Sequence, residues 1–156
     1  LCFTCDEIWL AMPHRAGDDK RNVLFNEMNQ PFTDYALSDD EMARWSTVSQ
    51  LRDSVNVALE SARNEKKIGK SLEAKVALTV PAEDAFLAEM DQEKLADLFI
   101  VSQVQVTVGG ELSVSVAEAA GEKCERCWKH HPLVGANAAH PTLCPRCAKV
   151  VQAIHL

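Results

Sequence analysis

Cys124-Glu125-Arg126-Cys127 and Cys144-Pro145-Arg146-Cys147 decide how the C-terminal part of this chain folds. Together they make C-x2-C-x16-C-x2-C, a spacing at which two tight turns bring four thiolates to the corners of one tetrahedron. Zn–S bonds of about 2.3 Å would close such a site and leave no position for water, so the pattern points to structural rather than catalytic zinc. The alternative is a disulfide pair or four unrelated core thiols. Two pairs of identical spacing, one carrying the turn former Pro145, favour the metal. The surrounding segment needs it as well. From Gly121 to Leu156 large aliphatic residues are few, and a module below about 40 residues rarely buries enough apolar surface unaided. Metal binding would supply folding free energy on the order of 10 to 16 kcal/mol.

Outward from this module the composition is ordinary. The chain has 156 residues, 47% hydrophobic and 25% charged, which fits one globular domain or two small ones. No apolar run approaches the roughly 20 residues of a membrane helix, so no membrane association is expected. The start shows neither the basic region nor the apolar core of a signal peptide. Cysteines spaced for a metal then suggest a reducing compartment, the cytoplasm.

The net charge of −7 argues against a uniformly basic nucleic-acid binder. The average conceals an asymmetry. Residues 121–156 hold Lys123, Arg126, Lys129, Arg146 and Lys149 against two glutamates, a net +3, while the first 120 residues carry −10. Four of the five histidines also lie in the basic end, so attraction for a polyanion would be local and would strengthen at mildly acidic pH.

The chain opens without Met on Leu1-Cys2-Phe3-Thr4-Cys5-Asp6-Glu7-Ile8-Trp9, and reads as a fragment entered at a helix. Thr4 and Glu7 make a capping-box pattern, and Cys5, Ile8, Trp9 and Met12 can share one face before Pro13. Burying Trp9 would take partners from outside the chain. Residues 13–40 read as a connecting segment with a short apolar patch at Val23, Leu24 and Phe25. A long helix follows. Ser38 and Glu41 form a second capping box, and Trp45, Val48, Leu51, Val55, Ala58 or Leu59, and Ala62 recur at helical spacing until Gly69 provides a stop.

Arg63, Lys66, Lys67 and Lys70 fall at i, i+3, i+4 and i+7 near the end of this helix. They would make either a phosphate-contacting stripe or a set of cations offsetting the helix dipole. Gly69-Lys70-Ser71 resembles the end of a phosphate-binding loop, but the earlier glycine that such a loop needs is replaced by Asn64, so no ATP site is read here. From Leu72 the period changes to two: Leu72, Ala74, Val76, Leu78 and Val80 alternate with more polar residues, which predicts a half-buried strand. A helical stretch is expected over 82–98. Val104, Val106 and Val108, then Gly109-Gly110, then Leu112, Val114 and Val116 predict a hairpin. The fold class is therefore α+β, a small helix-packed sheet joined through residues 117–121 to the cysteine module.

These residues carry a resemblance. Phe3-Thr4-x-Asp6-Glu7-Ile8-Trp9 is similar to the last core helix of the anticodon-binding bundle in class I aminoacyl-tRNA synthetases. Leu51-Arg52-x-x-Val55, Ala58-Leu59-Glu60-x-Ala62-Arg63 and Lys67-Ile68-Gly69-x-Ser71-Leu72-Glu73-Ala74 extend it, as do Gly121-Glu122-Lys123-Cys124-x-Arg126-Cys127-Trp128 and Cys144-Pro145-Arg146-Cys147. The whole resembles the C-terminus of bacterial isoleucyl-tRNA synthetases. Cys2 and Cys5 depart from the family's usual Pro and small residue there. The resemblance implies three parts: the end of an anticodon-binding bundle with a connecting segment (1–37), an α+β junction domain (38–119) and a zinc module (120–156). It implies a ligase that joins isoleucine to its tRNA with ATP, in which this portion holds the anticodon stem-loop while an absent domain does the chemistry. Neither the HIGH nor the KMSKS signature occurs in the chain. The other partner would be the remainder of the parent synthetase, acting as a monomer. The tRNA contacts would come from Lys123, Arg126 and Trp128, and from the Arg63, Lys66, Lys67 and Lys70 stripe.

Two side chains keep competing readings. Trp128 either packs over the metal turn or stacks on an unpaired base with Arg126 on a phosphate or base edge. Cys2 and Cys5, a third Cys-x-x-Cys pair, are either small buried thiols or a redox or second metal pair. At the level of the whole chain, the cysteine spacing also resembles the terminal zinc finger of the formamidopyrimidine-DNA glycosylases, and a zinc-stabilised protein-interaction module would fit the acidic first 120 residues.

Overall fold

A computed structural model describes residues 1–154; His155, counted above with the basic end, and Leu156 lie outside the described residues. Two compact units are formed, Leu1–Ser38 and Asp39–Leu156.

The first unit consists of helix α1 (Cys2–Ala11) and a loop with two short 3-10 turns, Val23–Phe25 and Thr33–Tyr35. The helix starts at Cys2 with Leu1 as its N-cap, so Thr4 lies inside its first turn rather than capping it as the sequence suggested. No residue of α1 is buried, Cys2 and Cys5 included. The expectation that these two thiols are buried is thereby corrected. The unit is held instead by polar contacts. Trp9 Nε1 donates to the Asp19 carbonyl (3.1 Å), its ring lies 4.6 Å from that of His14, and the Asn26 side chain both accepts from the Asp19 N–H and donates to the Asp19 carbonyl.

The second unit is built on a three-stranded sheet of order β2-β1-β3, with β1 at Ala74–Val80, β2 at Gln103–Val108 and β3 at Ser113–Glu118. The alternation seen in the sequence sets its faces: Ala74, Val76, Leu78 and Val80 are buried, and the residues between them half-buried. β1 pairs parallel with β2 and antiparallel with β3, so Val76 faces Val104 on one side and Val116 on the other. The expected hairpin is therefore not one. The chain leaves β2 at Gly109-Gly110 and crosses beyond β1, whose long alternating apolar set takes the central place that buries it on both edges.

Helix α2 (Asp39–Asn64) covers β3, and α4 (Gln92–Phe99) covers β2. The core is Leu51, Val55, Leu59 and Ala62 from α2, Leu95, Ala96 and Phe99 from α4, and the inward face of β1. Trp45 precedes these on α2, beside Val48, Phe86 and Met90, and remains 46% exposed. The helical stretch expected over 82–98 is broken. A short α3 (Phe86–Glu89) ends at Met90, and Asp91 caps α4 by accepting from the Glu93 N–H at 2.9 Å.

α2 stops five residues before Gly69. Lys66 takes a left-handed conformation (φ 59°), the Lys67 N–H donates to the Ala62 carbonyl and the Lys66 N–H to the Arg63 carbonyl. This is a Schellman termination with lysine where glycine is usual. The cations at 66, 67 and 70 consequently lie in a loop rather than on a helical stripe. Glu73 secures that loop by accepting from the Gly69 and Lys70 N–H groups, which hold its carboxyl below the usual range. α4 ends the same way, on Ile100 at φ 57°.

A β-branched residue in the left-handed region costs about 1–2 kcal/mol, and Ile100 gains little from burial because it is 55% exposed. Ile100→Gly is expected to raise stability by about 0.5–1 kcal/mol after the extra freedom of glycine in the unfolded chain is discounted. Urea unfolding followed by circular dichroism reads this, and a lower midpoint would contradict it.

Candidate metal centre and nucleic-acid interface

Two structures flank the cysteines: the ribbon of β4 (Glu122–Lys123) and β5 (His130–His131), and helix α5 (Pro145–Ile154). Gly121 opens the ribbon at φ 91°, and a β-carbon there would fall 2.3 Å from the His131 carbonyl carbon. Only glycine fits. In the sequence this residue falls in a small-residue linker; a glycine just before a paired Cys-x-x-Cys turn is the available signal. Pro145 occupies the first position of α5, where its missing N–H costs nothing and its fixed φ suits the helix.

The four sulfurs of Cys124, Cys127, Cys144 and Cys147 all lie within 4.8 Å of one another. Cys127 Sγ and Cys144 Sγ are 3.8 Å apart, which is the edge of a tetrahedron whose centre-to-corner distance is about 2.3 Å, the Zn–S bond length. A disulfide requires about 2.05 Å, so the sulfurs are spaced for an ion. Cys124, Cys144 and Cys147 also form the buried cluster of this part of the chain, with Val134 and Leu143 packed against it among the described residues. The thiols thus occupy the place of a hydrophobic core.

Their surroundings prepare unequal charges. Burial acts to raise the Cys124 pKa, but backbone N–H groups of Cys127, Cys144 and Arg126 override it and bring the thiol down to about 6. The Cys144 N–H lies 3.3 Å from its sulfur. Cys127 is pushed up to about 12, by burial first and then by the neighbouring thiols, and Cys144 is raised chiefly by burial. Cys124 ionises readily, while burial above all keeps the protons on Cys127 and Cys144. A divalent cation at the centre would favour the thiolate form of its ligands. The donor set, four sulfurs and no other ligand type, fits zinc.

Around this centre the expected nucleic-acid residues are distributed unevenly. Trp128 follows the second cysteine in a left-handed conformation (φ 66°), its N–H donating to the Cys124 carbonyl at 2.8 Å. Its side chain is 60% exposed, with Lys123 Nζ 5.4 Å from the ring centroid. Arg126 Nη1 lies 3.9 Å from Cys147 Sγ, so its guanidinium also supports a ligand sulfur. The second set is more committed: Arg63 pairs with Glu60 and donates to Ser71 Oγ at 2.6 Å, and Lys67 pairs with Glu65 at 2.7 Å. Lys66 and Lys70 are exposed beyond the helix end.

A cleft beside the centre is lined by Asp97, Ser102, Lys129, His130 and Arg146, among others, and encloses about 80 Å³. That is room for water and not for a nucleotide. Among the described residues no helix is long and apolar enough to cross a membrane.

Comparison with known proteins adds similar sequences to this geometry. Residues 121–150 match the family described as a zinc finger found in FPG and IleRS. Nearly the whole chain is similar to part of the isoleucine--tRNA ligase of Dichelobacter nodosus, at 44% identity over 97% of this chain and 16% of that protein. The enzymes of Syntrophotalea carbinolica (42%, covering 97% of the chain and 17% of the relative) and Symbiobacterium thermophilum (42%, covering 100% and 18%) align likewise. The chain thus spans about one sixth of the length of the curated relatives it matches. Because the similarity runs through the α+β unit as well as the finger, it excludes the glycosylase alternative, which rested on the cysteine spacing alone.

Gly121→Ala is expected to cost about 2–4 kcal/mol, since the displaced His131 backbone belongs to the ribbon that carries Cys124. Chemical denaturation of the variant measures it. A loss under about 0.5 kcal/mol, the range of ordinary surface changes, would mean the ribbon shifts freely.

Proposed function

The chain is homologous to a segment of the bacterial isoleucine--tRNA ligases, and we propose that it serves as the zinc-binding and tRNA-binding portion of such an enzyme, non-catalytic in itself. The parent protein would attach isoleucine to tRNA(Ile) at the expense of ATP, with ATP bound in a domain this chain does not contain. One structural zinc per chain would be held by Cys124, Cys127, Cys144 and Cys147. Zinc supplies there the positive charge that lets four thiolates coexist, and so the folding free energy of a module without an aliphatic core.

Trp128 is the observation that carries the reading. A large aromatic side chain in left-handed backbone costs about 1–2 kcal/mol where glycine would cost little, yet its ring is left largely in solvent. Packing does not account for that expense. Strained, exposed residues of this kind gather at binding sites. A ring held out from a metal-fixed turn, with Lys123 against it and Arg126 two residues before it, suits an unpaired base and its phosphate. The anticodon stem-loop is such a target, and the remaining contacts would come from Lys66 and Lys70 in the loop after α2, with Arg63 and Lys67 in support. The division into 1–37, 38–119 and 120–156 then has functional meaning: the first part joins the helical bundle of the parent, the second spaces the third from it. We place the parent protein in the cytoplasm as a monomer.

The acidic first 120 residues favour one competing role, a protein-interaction module, and a single variant separates the two. Trp128→Gly relieves the backbone, so in the full-length protein the stability is expected to hold or rise by up to about 1 kcal/mol. Affinity for tRNA(Ile) is expected to fall by about 1–3 kcal/mol, the worth of one stacked base. Filter binding and thermal unfolding read the two quantities. Lower stability with unchanged tRNA affinity would make Trp128 a packing residue and end this reading. Arg126→Ala should lessen the salt dependence of binding if the guanidinium meets a phosphate. Chelation of the metal should increase hydrogen exchange across residues 121–154 while the amides of β1 stay protected, and uniform protection after metal loss would remove the structural role of zinc.

A further inference from the structure

Asp97 lies in the last turn of α4, where the helix dipole disfavours a carboxylate. Its own helix therefore does not explain it. Its two oxygens face the cysteine knuckle: Oδ1 accepts from Lys129 Nζ at 2.6 Å, and Oδ2 lies 3.5 Å from Arg146 Nη1. Lys129 stands two residues beyond Cys127, and Arg146 stands between Cys144 and Cys147. One carboxylate thus holds both arms that enclose the metal centre. The Lys129 side chain is 20% exposed and that of Asp97 51%, so this contact is partly shielded from solvent, whereas the Arg146 contact lies at the surface.

Two further contacts complete a seat for the knuckle. Ser102 Oγ accepts from the His130 N–H at 2.7 Å and donates to the Leu72 carbonyl, and Gln103 Nε2 donates to the Ala120 carbonyl at 2.7 Å. Ser102 and Gln103 fix the ribbon that follows Gly121. Without Asp97 nothing among these contacts would hold the second cysteine arm, and the knuckle could rock about the ribbon. Trp128 and Lys123 project from that rocking body.

We propose that Asp97 is a positioning residue: by joining Lys129 and Arg146 it sets the angle at which the knuckle presents Trp128 to RNA, without touching RNA itself. The proposal rests on the tRNA-binding reading above. It also assigns Lys129 and Arg146 to the junction with α4, with Lys123 and Arg126 as the cations nearest Trp128.

The test is a double-mutant cycle in the full-length protein, using Asp97→Asn and Trp128→Ala, with Asp97→Glu as the conservative variant and zinc content measured in each. Asp97→Asn keeps the shape and loses the charge. It is expected to retain zinc, to speed hydrogen exchange at His130 by about 10-fold, and to weaken tRNA(Ile) binding by about 3- to 10-fold, the range for coupled charge networks. In the Trp128→Ala background the same change should weaken binding less than 2-fold, roughly the limit of additivity, and Asp97→Glu should restore most of the loss. Equal losses in both backgrounds, or unchanged affinity and exchange in Asp97→Asn, would overturn the positioning role while leaving tRNA binding intact. If Trp128→Ala itself leaves affinity unchanged, the tRNA-binding reading fails and this inference with it, whatever the exchange at His130 shows.

Discussion

Four cysteine sulfurs within 4.8 Å of one another cannot all be charged unless a cation lies among them. Everything in the C-terminal part of the chain follows from that electrostatic condition. The thiols take the positions a small domain would give to leucine and valine, so the energy that organises the turns is bonding to an ion rather than burial of hydrocarbon. A turn fixed in this way tolerates strain that a surface loop would release. That is why Trp128 can be kept in left-handed backbone with its ring exposed.

Rigidity of the knuckle is useful only if the knuckle is itself held. The α+β unit contributes a sheet with β1 at its centre and two helices over one face, and the junction contacts come from residues at the ends of these elements: Asp97 from α4, Ser102 and Gln103 from the entry to β2. The core therefore acts at a distance. Val76, Leu78 and Phe99 never approach the cysteines, but they determine where Asp97 and Ser102 stand. The position of the left-handed Ile100 between α4 and β2 has the same effect, since it turns the chain sharply enough for Asp97 and Ser102 to face one body.

Much of this was legible in the sequence because it depends on local periodicity. The period-two run from Ala74 to Val80 and the helical recurrence of Val48, Leu51, Val55 and Leu59 each describe a buried face, and both faces are buried. The cysteine pairs describe their own geometry. What was not legible depends on partners distant in sequence. Two valine runs around Gly109-Gly110 look like a hairpin until β1 takes the central place, and Trp45 looks like core but lies half exposed beside Phe86 and Met90. The end of α2 differs from the sequence expectation because an unusual residue adopts the left-handed conformation: Lys66 terminates the helix where Gly69 signals a stop, which moves three cations expected on a helix into a loop. The ion pairs of Asp97 had no signal at all, since neither Lys129 nor Arg146 is near it in the chain.

X-ray absorption at the zinc edge of the full-length protein tests the central claim most directly, because it counts the atoms bound to the metal and measures their distance. The account predicts a single shell of four sulfurs at about 2.3 Å with no nitrogen or oxygen. A shell containing histidine nitrogen or water, or a protein that carries no zinc, would contradict it.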